Sequence, residues 1–271
     1  MSFRAIACDL DGTLLQPDGT LDARTARALA DVDRAGLLLV LCTARPHRWV
    51  QPLRRFVGRR CVAACANGAV VWDLHGETLV EARTLAPEVT AEVVKLLAQA
   101  LPGGAWAVER TSGFAHEPGY RPRWPVPHDT VIDHVDVLAA RPAVKLMFDH
   151  PSLAADALLA HARDVVGHLA EPTHSNSADS LLEIGAAGVS KASALARVCE
   201  AQGLSSADVI AFGDMPNDLP MLRWAGHAVA VANAHPDVLG AADEITTGNH
   251  DAGVARVLER LLASSVAALD R

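Results

Sequence analysis

Phe3-Arg4-Ala5-Ile6-Ala7-Cys8-Asp9-Leu10-Asp11-Gly12-Thr13 is the stretch whose reading decides the fold. Its first half is a short apolar run that predicts a buried first β-strand. Side chains alternate faces along a strand, so residues i and i+2 point the same way. Asp9 and Asp11 therefore leave the strand's carboxyl end aimed at one spot, and Gly12 lets the chain turn sharply behind them. Two converging carboxylates repel each other unless a cation or a proton compensates them. The plainer alternative is a solvated acidic turn.

Working outward, the first third of the chain alternates strand and helix. Residues 37–42 form a second apolar run, Leu37-Leu38-Leu39-Val40-Leu41-Cys42, ending at Thr43. The apolar spacing predicts helices over 21–35 and 45–57, the second with Pro46 in its first turn, where proline is tolerated. Alternating βα units imply a parallel sheet covered by helices, with ligands at the carboxyl ends of the strands. Residues 70–79 read as a hairpin turning at His75-Gly76. From Leu85 the order changes to a helix over 87–100, strands over 105–110 and 144–148, a helix over 152–166, and strands over 168–174 and 180–184. Between them, 113–128 is rich in proline, arginine and aromatics and reads as irregular. The α/β expectation is a Rossmann-like doubly wound core, residues 1–84 and 185–271, with an α+β cap inserted over 85–184, a size usual for a domain.

Composition bounds the function. Half of the 271 residues are hydrophobic and the formal net charge is −8. That charge disfavours nucleic acid or an anionic membrane as the main partner. No apolar run approaches a membrane span, and the first strand begins too early for a signal peptide. The five cysteines include Cys8 and Cys42 inside predicted strands, and Cys61 and Cys65 lack a second ligand pair, so all read as reduced and the protein as cytoplasmic. The sequence is compatible with a monomer or a homodimer.

Asp9-Leu10-Asp11-Gly12-Thr13 resembles the first motif of the haloacid dehalogenase superfamily, and three more motifs follow in order. Thr43 closes the second strand, Lys191 stands in Gly188-Val189-Ser190-Lys191, and Gly213-Asp214-Met215-Pro216-Asn217-Asp218 follows the apolar run over 209–212. The last two, with Asn233-Ala234-His235-Pro236 and Thr247-Gly248-Asn249-His250-Asp251-Ala252-Gly253-Val254, look most like the Cof-type, subfamily IIB sugar-phosphatase-like branch. The resemblance implies a Mg²⁺-dependent phosphatase acting on a small phosphorylated metabolite, expected to be a sugar phosphate, through an aspartyl-phosphate. A phosphohexomutase is the alternative, and a non-catalytic phosphosugar-binding protein a more distant one.

Residue roles follow from the same resemblance. Asp9 is the expected nucleophile and Asp11 the general acid and base, its proton retained partly through repulsion by Asp9. Asp9, the Asp11 carbonyl and Asp214 are the expected metal ligands, a hard oxygen set suited to Mg²⁺. Asp218 is expected either in the metal's water shell or orienting Lys191. Thr43, the Ala44 amide, Lys191 and Asn217 are the expected phosphate contacts, at the strand-to-helix junctions that capture phosphate. Here the second motif reads Thr-Ala-Arg where the resemblance has Thr-Gly-Arg, so a methyl group at Ala44 restricts that amide. Asn67-Gly68 and Asn233 read as loop residues near the site or as ordinary turn formers. Arg45, and in the cap His116, Glu117, Arg121, Arg123 and Trp124, are candidate leaving-group contacts, against the plainer reading of a solvated arginine-bearing loop.

Overall fold

The computed structural model describes residues 3–269. In chain order, β1 (Ala5–Cys8) leads through the acidic turn to α1 (Ala23–Arg34), β2 (Leu38–Cys42), α2 (His47–Val50), β3 (Cys61–Cys65) and the hairpin β4 (Val70–Asp73) and β5 (Thr78–Ala82). Then come α3 (Pro87–Ala100), β6 (Ala105–Arg110), β7 (Gly113–His116), β8 (Val131–Ile132), α4 (Val135–Ala139), β9 (Lys145–Asp149), α5 (Ala155–Val166), β10 (Ala170–Thr173) and β11 (Leu181–Ala186). The chain closes with α6 (Lys191–Ala201), β12 (Val209–Gly213), α7 (Leu219–Trp224), β13 (His227–Val231), α8 (Pro236–Leu239), β14 (Glu244–Thr246) and α9 (Gly253–Leu269).

These elements form two compact units, residues 1–80 with 191–271, and residues 81–190. The first holds an eight-stranded sheet in the order β14-β13-β12-β1-β2-β3-β4-β5. It is parallel from β14 to β3 and turns antiparallel at the β3–β4 pair. Strand β1 lies at the centre because every residue in it is apolar and buried, which suits a strand flanked on both edges and both faces. Its two neighbours come from opposite ends of the chain, so the sheet has a topological switch point beside β1. Cys8 is aligned with Phe212 on one side and Leu41 on the other. The residues that follow this aligned row, Asp9 after Cys8, Gly213-Asp214 after Phe212 and Cys42-Thr43 after Leu41, therefore emerge side by side.

The second unit is a six-stranded sheet, β10-β11-β9-β6-β7-β8, antiparallel except at β7–β8. One face packs Trp106, Val108, Leu146, Phe148, Leu182 and Ile184 against residues of α3, α4 and α5. Register puts Ala107, Glu109, His116, Lys145, Met147, Asp149 and Glu183 on the other face. The alternation is that of a half-apolar antiparallel sheet, yet the charged residues on the second face are also buried.

Two expected elements differ. The helix expected over 45–57 is split into α2 and a 3₁₀ segment, Gln51–Phe56, because Pro52 has no N–H to continue the α-helical ladder. The stretch expected to be irregular from Gly113 contains β7, which pairs antiparallel with β6 and uses the freedom of Gly113 at φ +149°. No helix among the described residues is long and apolar enough to cross a membrane.

Helix α1 has a defined start. Asp22 accepts hydrogen bonds from the amides of Arg24 at 2.8 Å and Thr25 at 3.0 Å, satisfying two of the otherwise unpaired first-turn donors. Replacing Asp22 by alanine should cost about 1 kcal/mol. Thermal unfolding should then show a fall of about 2–4 °C. An unchanged melting temperature would mean that the cap contributes nothing.

Candidate active site

The strand ends bring four ionisable side chains into a buried cluster. Asp9, Asp214, Asp218 and Lys191 are each 5% exposed or less. Lys191, the first residue of α6, donates from Nζ to Asp9 Oδ1 at 2.5 Å and to Asp218 Oδ1 at 2.7 Å. The second oxygen of Asp218 accepts from the backbone amides of Asp214 and Met215, each at 3.0 Å. Asp218 is thus tied at both oxygens and fixes the lysine. Thr13 donates its hydroxyl to Asp214 Oδ1 at 2.8 Å, a link the sequence reading did not assign although Thr13 closes the first motif.

Close packing enforces this arrangement. Gly12 has φ +80°, and a β-carbon there would lie 2.2 Å from Asp214 Oδ2. Glycine at position 12 is therefore demanded twice, by backbone conformation and by space. A β-carbon on Gly213 would similarly fall 2.6 Å from that of Asp218.

Electrostatics follow from burial. Burial is the largest influence on Asp9 and raises its pKa well above the carboxylate range; Asp218, Asp214 and Asp11 add to this while Lys191 opposes it. Asp214 is pushed up to about 7, by burial first and then by Asp218. Burial alone would lower the Lys191 pKa, but Asp218 and Asp9 more than reverse it and keep the ammonium charged. One oxygen from each of Asp9, Asp214 and Asp218 lies within 4.8 Å of the others. With all three ionised, one ammonium leaves two negative charges uncompensated in a desolvated site. A divalent cation with a preference for hard oxygen ligands fits that donor set and that charge.

Asp11 lies apart from this buried group. Its side chain is 54% exposed and is gripped by Arg45, Nε to Oδ2 at 2.8 Å and Nη2 to Oδ1 at 2.5 Å. Sequence reasoning set Arg45 toward a leaving group; the structure sets it on Asp11. Thr43 is fully buried, and its Oγ1 accepts from the Arg45 amide at 3.1 Å, a local turn that precedes α2. The carbonyl of Thr43 accepts from the Asn67 amide at 2.9 Å, which stitches the loop after β2 to the loop after β3. Ala44 is not among the described residues with positive φ, so the methyl group at this position carries no left-handed strain. Asn67 does adopt that conformation, at φ +55°, which asparagine tolerates better than most residues. Its Oδ1 accepts from Asn217 Nδ2 at 3.0 Å. Asn217 Oδ1 is buried without a hydrogen-bond partner among the described residues.

The candidates of the second unit have their own geometry. Glu117 binds two backbone amides, those of Trp106 at 3.0 Å and Val135 at 3.1 Å, so its carboxylate ties β6 to the start of α4. His116 Nδ1 lies 2.7 Å from the Glu117 carbonyl oxygen. Arg121 and Arg123 converge on buried Asp149, at 2.7 and 3.0 Å from Arg121 and 2.8 Å from Arg123, and Arg123 also pairs with Asp179. Trp124 is exposed. The plainer reading of a freely solvated arginine loop therefore fails for Arg123, which is largely enclosed. The sequence signal for Asp149 was weak, a carboxylate closing an apolar strand 26 and 28 residues from its arginine partners.

Residues 6–258 match the family model described as haloacid dehalogenase-like hydrolase. The chain is 30% identical over 270 residues to the pyridoxal phosphate phosphatase YbhA of Escherichia coli K12, covering 95% of this chain and 98% of that one. Among solved structures it superimposes on SMU.1108c of Streptococcus mutans with a TM-score of 0.82 at 22% identity, over 97% of this chain and all of the other. The subclass IIB sugar phosphatase BT4131 gives a TM-score of 0.78 at 17% identity, over 95% and 98% of the two chains.

The raised carboxyl pKa of Asp214 has a signed consequence for metal-free protein. Its folded value, about 7, lies above the unfolded value of about 3.9, so folding takes up a proton between them. The stability it contributes is present below the unfolded value and is lost as pH rises through about 7. Melting curves in chelator should therefore show Asp214→Asn gaining on the wild type from about pH 4 to 7 and levelling off above that. A difference independent of pH would show that Asp214 is ionised throughout.

Proposed function

The chain belongs to the haloacid dehalogenase-like hydrolases, as a phosphoric monoester hydrolase of the Cof-type, subfamily IIB branch, and we propose that it cleaves its substrate by Mg²⁺-dependent transfer of the phosphoryl group to Asp9. The observation that carries this reading is the clamp on Asp9. Lys191 holds Oδ1, which fixes the carboxylate's rotation and leaves the second oxygen to attack phosphorus. In that step the new Asp9–phosphorus bond forms as the phosphorus–oxygen bond to the leaving group breaks. Asp11 supplies the proton to the departing oxygen. Water then attacks the aspartyl-phosphate, Asp11 takes the water's proton, and the Asp9–phosphorus bond breaks to release inorganic phosphate.

Asp9, Asp214 and the carbonyl of Asp11 would hold Mg²⁺, while Asp218, whose oxygen also borders that cluster, is assigned to orient Lys191, which it binds through Oδ1 as two backbone amides cap its Oδ2. The bound cation supplies charge neutralisation for the transferring phosphoryl oxygens. Lys191, the Thr43 hydroxyl, the Ala44 amide and Asn217 supply the remaining phosphate contacts. A phosphate oxygen accepts but does not donate, so contact from Asn217 would use the second hydrogen of Nδ2, the first being donated to Asn67 Oδ1. Asp11 as acid must release at least one oxygen from Arg45. Transfer to water fits better than transfer back to a sugar, since relatives matched over nearly their whole length, such as YbhA of Escherichia coli and YcsE of Bacillus subtilis, carry the name phosphatase. The substrates in their names range from pyridoxal phosphate to 5-amino-6-(5-phospho-D-ribitylamino)uracil, which supports small phosphorylated metabolites as a class. Five buried cysteines without a disulfide fit a reducing, cytoplasmic setting.

Phosphate release across a panel of phosphorylated metabolites tests this assignment. Chelation should abolish turnover and Mg²⁺ restore it. Asp9→Asn should abolish turnover with folding retained, and Asp11→Asn should cost about 10²- to 10⁴-fold on alkyl phosphates, where the leaving oxygen needs a proton. Full activity in chelator, or a well-folded Asp9→Asn enzyme near the wild-type rate, would refute the mechanism.

A further inference from the structure

The segments around Asn233 and Asn249 have no part in the chemistry above, yet their side chains converge on the loop that carries Asp9 and Asp11. Asn233 Nδ2 donates to the Gly12 carbonyl at 2.8 Å, and its Oδ1 accepts from the Asn249 amide at 2.9 Å. Asn249 Nδ2 donates to the Leu15 carbonyl at 2.7 Å, while the Asn249 carbonyl accepts from Gln16 Nε2 at 3.1 Å. The loop is closed on itself by the Leu15 amide and the Leu10 carbonyl, 2.8 Å apart. Its interior is irregular at Asp11 and Gly12, so carbonyls there lack the partners that a helix or a sheet would provide.

From Gly12 the connection reaches the carboxylate cluster in two ways. The next residue, Thr13, donates to Asp214 Oδ1. Gly12 itself packs so tightly on Asp214 that no β-carbon fits between them. On the other side a β-carbon on Gly248 would lie 2.7 Å from the His250 ring and 3.2 Å from Asn233 Oδ1, so the segment is closely packed there as well. Asn233 uses the donor and acceptor ends of its amide in opposite directions, a job a carboxylate or an alanine cannot do.

We propose that Asn233 and Asn249 are positioning residues that hold Asp214 in its cation-binding place through Gly12 and Thr13. This rests on the proposal that Asp214 binds Mg²⁺. The chain of contacts predicts that loosening the strap weakens the cation before it touches the chemistry, as loss of an outer-shell partner does in other metal sites.

The test is calorimetric titration of the full chain with MgCl₂, beside turnover at saturating Mg²⁺ and thermal melting. Asn233→Ala should weaken Mg²⁺ binding by about 10- to 100-fold. Excess Mg²⁺ should restore most of its turnover, and its melting temperature should stay close to wild type because Asn233 is exposed. Asn249→Ala, at a buried position, should lower the melting temperature as well, and its Mg²⁺ affinity in the folded protein should fall like that of Asn233→Ala. Affinities within about twofold of wild type for both variants would overturn the proposal, whatever happens to stability. A wild-type protein that takes up no Mg²⁺ would instead fail the metal assignment, and the positioning role with it.

Discussion

Three carboxylates buried around a single ammonium set the terms for the rest of this structure. Desolvated charges are costly unless paired and hydrogen-bonded, and removing one partner of such a group costs more than the group contributes. The molecule meets that cost through geometry. Lys191 spans Asp9 and Asp218, two backbone amides cap the far oxygen of Asp218, and Thr13 addresses Asp214. The remaining imbalance is negative, which suits a cation. An acidic protein can receive a phosphate dianion where local positive charge offsets that imbalance, as the Lys191 ammonium and a bound cation would.

That constraint reaches back into the fold. The cluster exists because β1 sits between β2 and β12, so that three chain segments far apart in sequence end in register. Glycine is required at 12 and 213 by the carboxylates packed against them. The apolar strands do more than fill a core. They exclude water from the site, which raises the carboxyl pKa values of Asp9 and Asp214 and strengthens every interaction among these groups.

Much of this was legible before any coordinates. The apolar strand ending in Asp-x-Asp located the site, but the strand stops at Cys8 and the period of two does not carry both carboxylates to one spot: Asp9 is buried against Lys191, while Asp11, in the irregular turn, is exposed and paired with Arg45. Motif order and the alternation of strand and helix were enough to expect a parallel sheet and a second, α+β unit. Less legible were contacts set by topology. Nothing local pairs Arg45 with Asp11, Asn217 with Asn67, or Asp149 with two arginines more than twenty residues upstream. Local chemistry also misled in two places. Apolar spacing carried a helix through Pro52, where the missing N–H changes its type, and proline richness after His116 hid the short strand before it.

Everything proposed for this site turns on Asp9 becoming covalently phosphorylated. Rapid acid quench of the enzyme during turnover of a good substrate, followed by peptide mass spectrometry, tests it most directly. The peptide containing Asp9 should be heavier by one phosphoryl group, fragmentation should place the group on Asp9, and with an activated ester whose leaving group needs no proton the modified fraction should rise in Asp11→Asn, where hydrolysis is slowed. Turnover at full rate with no phosphoryl group on any peptide, or with the group on another residue, would contradict it.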